Sequence, residues 1–336
     1  MSDRLGFNNR QTLGAIETGE RNIQATELVA AAEILGVGVD YFTDPYTSAG
    51  EASFSFRTEA PDSSAVAEFE RTAGNWLATF RELSAREGRP PSFVVPSLAL
   101  APWSSYEQAR SAAEDVREAL SLGPVPALGL ASALETRFGV LVLYVDTPDI
   151  ISGAASRLEN VRAILVNRNQ PAGRRNYSLA HELFHVLTWD SMPKGRDRPQ
   201  RIEVLANNFA AALLMPRSSV VEMWESRGET PLPEWMSATA ARLRISPSAL
   251  RWRLNNLGLT TAAQLPTDAE IAATGVQIED RAARPLLFAA AFVRKVFAAV
   301  ETGVLSLRRA SGLLGLDALG FAELCRDYDL PLSYEI

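Results

Sequence analysis

Two histidines occur in the 336 residues, and they lie four apart: His181 and His185, with Glu182 directly after the first, in the run HELFH. On a helix, residues i and i+4 share a face, so both imidazoles can present a ring nitrogen to one ion. Glu182 is turned about 100° further round. That takes it off the metal and toward the water that a zinc ion activates. Zinc lowers the pKa of such a water toward about 7, and a carboxylate beside it can serve as general base and proton shuttle in amide hydrolysis. Zn2+ is the cofactor this pattern implies, with Mn2+ the alternative ion. A hydrolytic site keeps three protein ligands and one open position. The single cysteine, Cys325, is far along the chain, so a carboxylate must complete the set. Glu203 is the first candidate, because it heads EVLANNFAAALLMP, whose small residues Ala206, Ala210, Ala211 and Ala212 let this helix approach the HELFH helix closely. Asp190, in the segment after the HELFH helix, is the second. A purely structural zinc site would need four Cys or His ligands, and too few are present.

These side chains need a scaffold. Over 178–187 the residues Leu179, Leu183 and Val186 form one apolar stripe, with Ala180, Phe184 and Leu187 beside it. Such a helix should be buried, leaving only its His-Glu-His edge at a cleft. Ser178 is the expected N-cap, with Asn176 the alternative. VLVLYV (140–145) and AILVN (163–167) read as strands, with a weaker one over 150–156. Helices are expected over 65–87, 106–120, 128–138 and 202–214, the last stopped by Pro216. Five units follow: a helical segment 1–45; a linker with a short extended piece and an amphipathic helix, 46–103; a mixed core, 104–225; and two helical modules, 226–264 and 265–336. The fold class is α+β, mostly helical, with a small sheet.

An apolar fraction of 47%, a charged fraction of 22% and a net charge of −7 are those of a globular protein and argue against a surface that coats nucleic acid. One cysteine excludes an internal disulfide framework. No apolar run approaches the roughly 20 residues of a membrane span, and no apolar leader opens the chain. A cytoplasmic location and no membrane partner are expected.

The succession AILVN, RRNYSLAHELFHVL and EVLANNFAAALLMP resembles the ImmA/IrrE family of metallopeptidases over about 100–225. After it, ARLRISPSALRWRLNNLGL is similar to that family's small helical module. The resemblance implies a zincin-like core, with the active-site helix beside a small sheet, flanked by helix-turn-helix-like modules. It implies metal binding by His181, His185 and Glu203, catalysis by Glu182, and a hydrolase acting as a zinc-dependent endopeptidase. The protein substrate it implies is a helix-turn-helix repressor, cleaved in a stress or mobile-element response. Phe184 stands where Gly is common in the family, Tyr177 where Phe is common, and Ser178 where Thr is common. No side chain is assigned to the oxyanion; Tyr177, Arg174 and Arg175 are near in sequence only.

The stretch LGFNNRQTLGAIETGERNIQATELVAAAEILGVGVDYF resembles the later helices of an XRE-type helix-turn-helix domain. By that likeness Arg10, Gln11 and Thr12 open a recognition helix, where Gln can read adenine in the major groove. A DNA-binding transcription regulator, whose peptidase-like domain is a sensor or idle, is therefore the alternative function. The usual first helix has no counterpart, so the module is expected to be partial and DNA a partner only if it is complete. Seven acidic residues against three basic ones over 1–45 disfavour phosphate contact, and a protein-docking module is the competing expectation. Arg242, Arg244, Arg251 and Arg253 mark a second basic face, or simply a solvated one.

Overall fold

The computed structural model describes residues 10–48, 52–56, 64–94, 98–148, 150–193, 199–274 and 284–333. Three short helices, α1 (Arg10–Glu17), α2 (Ala25–Leu35) and α3 (Asp40–Thr43), lead to strand β1 (Ser53–Phe56) and the long α4 (Ser64–Arg86). Next come α5 (Tyr106–Ala119) and α6 (Leu130–Ala133), which runs on into a wider turn over Leu134–Phe138. Strands β2 (Leu141–Val145), β3 (Gly153–Leu158) and β4 (Val161–Asn167) follow, then α7 (Ala172–Leu187) and α8 (Gln200–Leu214). The chain continues through α9 (Arg217–Glu225), α10 (Leu232–Leu243), α11 (Pro247–Asn256), α12 (Asp268–Ala272), α13 (Ala290–Glu301), α14 (Leu307–Leu314) and α15 (Ala318–Asp327). The class is α+β, mostly helical, as the periodicity implies.

The four strands form one sheet in the order β1-β3-β4-β2, with β3 antiparallel to both neighbours and β2 parallel to β4. Alternate side chains face opposite ways. Val142, Ala155, Ile164 and Val166 pack into one core with α5, α7, α8, α10 and α11. Leu141, Leu143, Val145, Ala163 and Leu165 pack into the other, with α4, α13, α14 and α15. Burial on both faces is why VLVLYV and AILVN read as unbroken apolar runs rather than as alternation. The weaker segment becomes β3, and the extended SFSFR piece supplies the edge strand β1.

Two expectations are corrected. Helix α7 begins at Ala172 behind Pro171, so neither Ser178 nor Asn176 caps it. The carbonyl of Pro171 accepts from the N–H groups of Arg174 and Arg175, both at 2.9 Å. The turn joining α10 and α11 braces this early start. Asn176 Nδ2 donates to the carbonyl of Arg244 at 2.8 Å. Gly173 lies so close that a Cβ there would sit 2.5 Å from the carbonyl carbon of Ile245. Arg253, read as part of a basic or solvated face, is instead 1% exposed. Its Nε donates to the carbonyl of Met215 just beyond α8, where a cation complements the helix dipole. Burial lowers its pKa to about 10, which leaves it charged at neutral pH.

At the other end of the chain, α1 buries none of its side chains and α2 buries only Ala31 and Ala32. Arg10, Gln11 and Thr12 do open α1, the first two exposed and the third half-buried. Among the described residues, no helix is long and apolar enough to cross a membrane.

Candidate metal centre

Helix α7 lies between β3 and α8, and its chemistry faces both. Ala206, Ala210, Ala211 and Ala212 of α8 are fully buried. Glu203, in the first turn of α8, reaches the two histidines of α7. His181 Nε2 lies 3.2 Å from Glu203 Oε2, and His185 Nε2 lies 3.7 Å from Glu203 Oε1. The two Nε2 atoms face each other at 3.2 Å. One ligand atom from each of the three residues falls within 4.8 Å of the other two. Two imidazole nitrogens and one carboxylate, converging on a point, are a donor set that suits a divalent ion such as zinc.

Glu182 stands apart from that cluster, as its place on the helix requires. Its Oε2 accepts the backbone N–H of Ala155, in β3, at 2.9 Å. Gly153 makes room for this contact: a Cβ there would lie 3.1 Å from Glu182 Cγ and 3.2 Å from the carbonyl oxygen of Leu165. The strand thus holds the carboxylate beside the histidines without placing it among the ligand atoms.

The edge expected at a cleft is covered instead. His181, Glu182 and His185 are 5%, 3% and 4% exposed, closed in by β3 on one side and α8 on the other. Phe184, the bulky departure from the family pattern, is core packing: its ring lies 5.5 Å from that of His185 and 5.6 Å from that of Phe209. Asp190 pairs with Arg157 at 2.8 Å on the surface and is not one of the converging groups. Arg175 is turned into the scaffold, donating to the carbonyl of Gln170.

One neighbour escaped the reading of the sequence. Asn207 Oδ1 lies 3.0 Å from His181 Nδ1, and the hydroxyl of Tyr177 donates to the Asn207 carbonyl at 3.0 Å. Asn207 falls four residues after Glu203, on the same face of α8, and that spacing is the signal that could have found it. The backbone N–H of Ala155 has no such signal.

Residues 135–255 match the M78 peptidase family in its IrrE N-terminal-like domain. The matched span starts just before β2 and ends in the last turn of α11, and it contains His181, Glu182, His185 and Glu203. No curated protein sequence matches the chain.

Proposed function

We propose that this chain, which carries a metallopeptidase-like domain over 135–255, is a zinc-dependent endopeptidase. In this reading His181, His185 and Glu203 hold the ion and Glu182 is the catalytic base. The observation that carries it is the convergence of three ligand atoms within 4.8 Å, with the carboxylate of Glu182, next to His181 in the chain, held outside that set by the Ala155 N–H. When bound, the ion supplies Lewis acidity, which polarises the scissile carbonyl and acidifies water.

The residues divide the remaining work. Glu182 takes a proton from the attacking water and passes it to the departing amine nitrogen, so one group acts first as base and then as acid. The Ala155 N–H fixes the carboxylate's orientation before substrate arrives, which spares the reaction that ordering. Burial of both histidines keeps bulk water out and strengthens the electrostatic interactions inside. The substrate is a protein, a helix-turn-helix repressor, on the strength of the family likeness. DNA contact through Arg10, Gln11 and Thr12 stays subordinate, because α1 is a short helix anchored by no buried side chain.

Glu182→Gln tests the division of roles. The swap keeps size and removes the base, so zinc content should stay stoichiometric while cleavage of a purified helix-turn-helix repressor disappears. Loss of zinc from this variant would make Glu182 a ligand and overturn the assignment. A zinc-loaded wild-type chain that cleaves no repressor would favour the regulator with an idle peptidase-like domain.

A further inference from the structure

A neutral imidazole carries one proton and one lone pair, and only the lone pair can bind a metal. In His181 the choice between the two nitrogens is contested. With its proton on Nε2, the ring would donate to Glu203 Oε2, 3.2 Å away, and two of the three ligand residues would bind each other instead of an ion. With the proton on Nδ1, Nε2 is left open toward Glu203 and His185. Asn207 decides between these forms. Its Oδ1 sits 3.0 Å from His181 Nδ1, and an amide oxygen can only accept.

Asn207 is itself held. Tyr177 lies one helical turn before His181 on α7, and Asn207 one turn after Glu203 on α8. The Tyr177 hydroxyl donates to the Asn207 carbonyl at 3.0 Å, so the two helices are tied at the turn where the amide meets the ring. The adjacent Asn208 behaves differently. It donates to the Val204 carbonyl of its own helix and accepts from Arg110, and has no part in the site. Two neighbouring asparagines thus divide into one that braces helices and one that faces a ligand.

We infer that Asn207 is a positioning residue of the metal centre, holding His181 in the tautomer that leaves Nε2 open to the ion, with Tyr177 fixing Asn207 in place. The inference rests on the proposed metal site and adds the group that selects the metal-binding form of one ligand. Outer partners of ligating histidines commonly account for about 10- to 100-fold in metal affinity.

The test measures zinc affinity by chelator competition on the full chain, for wild type, Asn207→Ala, Asn207→Asp and Tyr177→Phe. Asn207→Ala should weaken zinc binding by about 10- to 100-fold, with the melting temperature of the zinc-free protein unchanged. Asn207→Asp keeps an acceptor and should restore wild-type affinity or better. Tyr177→Phe should give a loss of a few-fold, since Asn207 keeps its place on α8. Cobalt supplies a second readout: its visible absorption bands should change in Asn207→Ala and return in Asn207→Asp. Wild-type zinc affinity in Asn207→Ala, or equal weakness in the alanine and aspartate variants, would overturn the assignment while leaving the metal site standing. A wild-type chain that binds no zinc would instead remove the proposed function itself.

Discussion

The sheet is covered by two helical layers that are equally dry and chemically unlike. On the side of α7 and α8, the interior includes two imidazoles, two carboxylates, an amide and two guanidiniums: His181, His185, Glu182, Glu203, Asn208, Arg175 and Arg253. Helices α4, α13, α14 and α15 themselves bury, besides Trp76 and Cys325, only the hydroxyls of Thr79, Ser84 and Ser311 as polar side chains, among the described residues. Aromatic rings fill that layer. Trp76 meets Phe69 and Phe288 edge-on at 6.3 and 5.0 Å, and Phe288 meets Phe292 at 5.5 Å. Its one thiol, Cys325, is pushed up to about 11 by burial, which keeps it protonated and unreactive at neutral pH. Depth alone therefore does not mark a functional face. Burying a polar group is unfavourable unless it finds partners, so a concentration of buried ionisable groups on one face, converging on one point, is the informative feature.

Three variants probe that contrast. The largest effect is expected for Glu203→Ala, which removes one of three converging groups. Zinc affinity should fall by more than the roughly 100-fold associated with an outer partner, with the far-ultraviolet circular dichroism spectrum retained, because the layer's core is large without it. Full zinc occupancy in this variant would move the ligand role elsewhere, first to Asp190. On the opposite layer, Phe292→Ala should destabilise the protein by about 3–5 kcal/mol in denaturant titrations, while each folded molecule still binds zinc as wild type does. Loss of zinc from the folded fraction would mean that the two layers do not act independently. The smallest effect is expected at α1, which belongs to neither layer. The double variant Arg10→Ala, Gln11→Ala should shift stability by no more than about 0.5 kcal/mol and leave zinc affinity untouched; a marked drop in melting temperature would show that α1 supports the core.

His181, Glu182 and His185 were legible in the sequence because the geometry of one helix turn fixes their relation before any tertiary contact forms. That a carboxylate must join the histidines followed from the arithmetic of ligands, and the small residues after Glu203 favoured it over Asp190. Strands β2 and β4 announced themselves as apolar runs, and the amphipathic period of α4 set its limits nearly to the residue. Other features depended on how distant segments meet. Local signals placed the start of α7 at Ser178, whereas Pro171 and the α10–α11 turn, some 70 residues away in sequence, set it at Ala172. Asn207 and Asn208 are the same residue type side by side, and only the rotation of α8 against α7 decides which one meets His181. The carboxylate of Glu182 is held by a backbone N–H in β3, a group that every residue except proline carries, so no pattern of side chains could single out Ala155. The sequence alone determined which groups could do the chemistry, because that follows from residue type and helical spacing. Tertiary structure alone decided how those groups are oriented and how deeply they are enclosed, because both depend on the packing of α7 between a strand and a second helix.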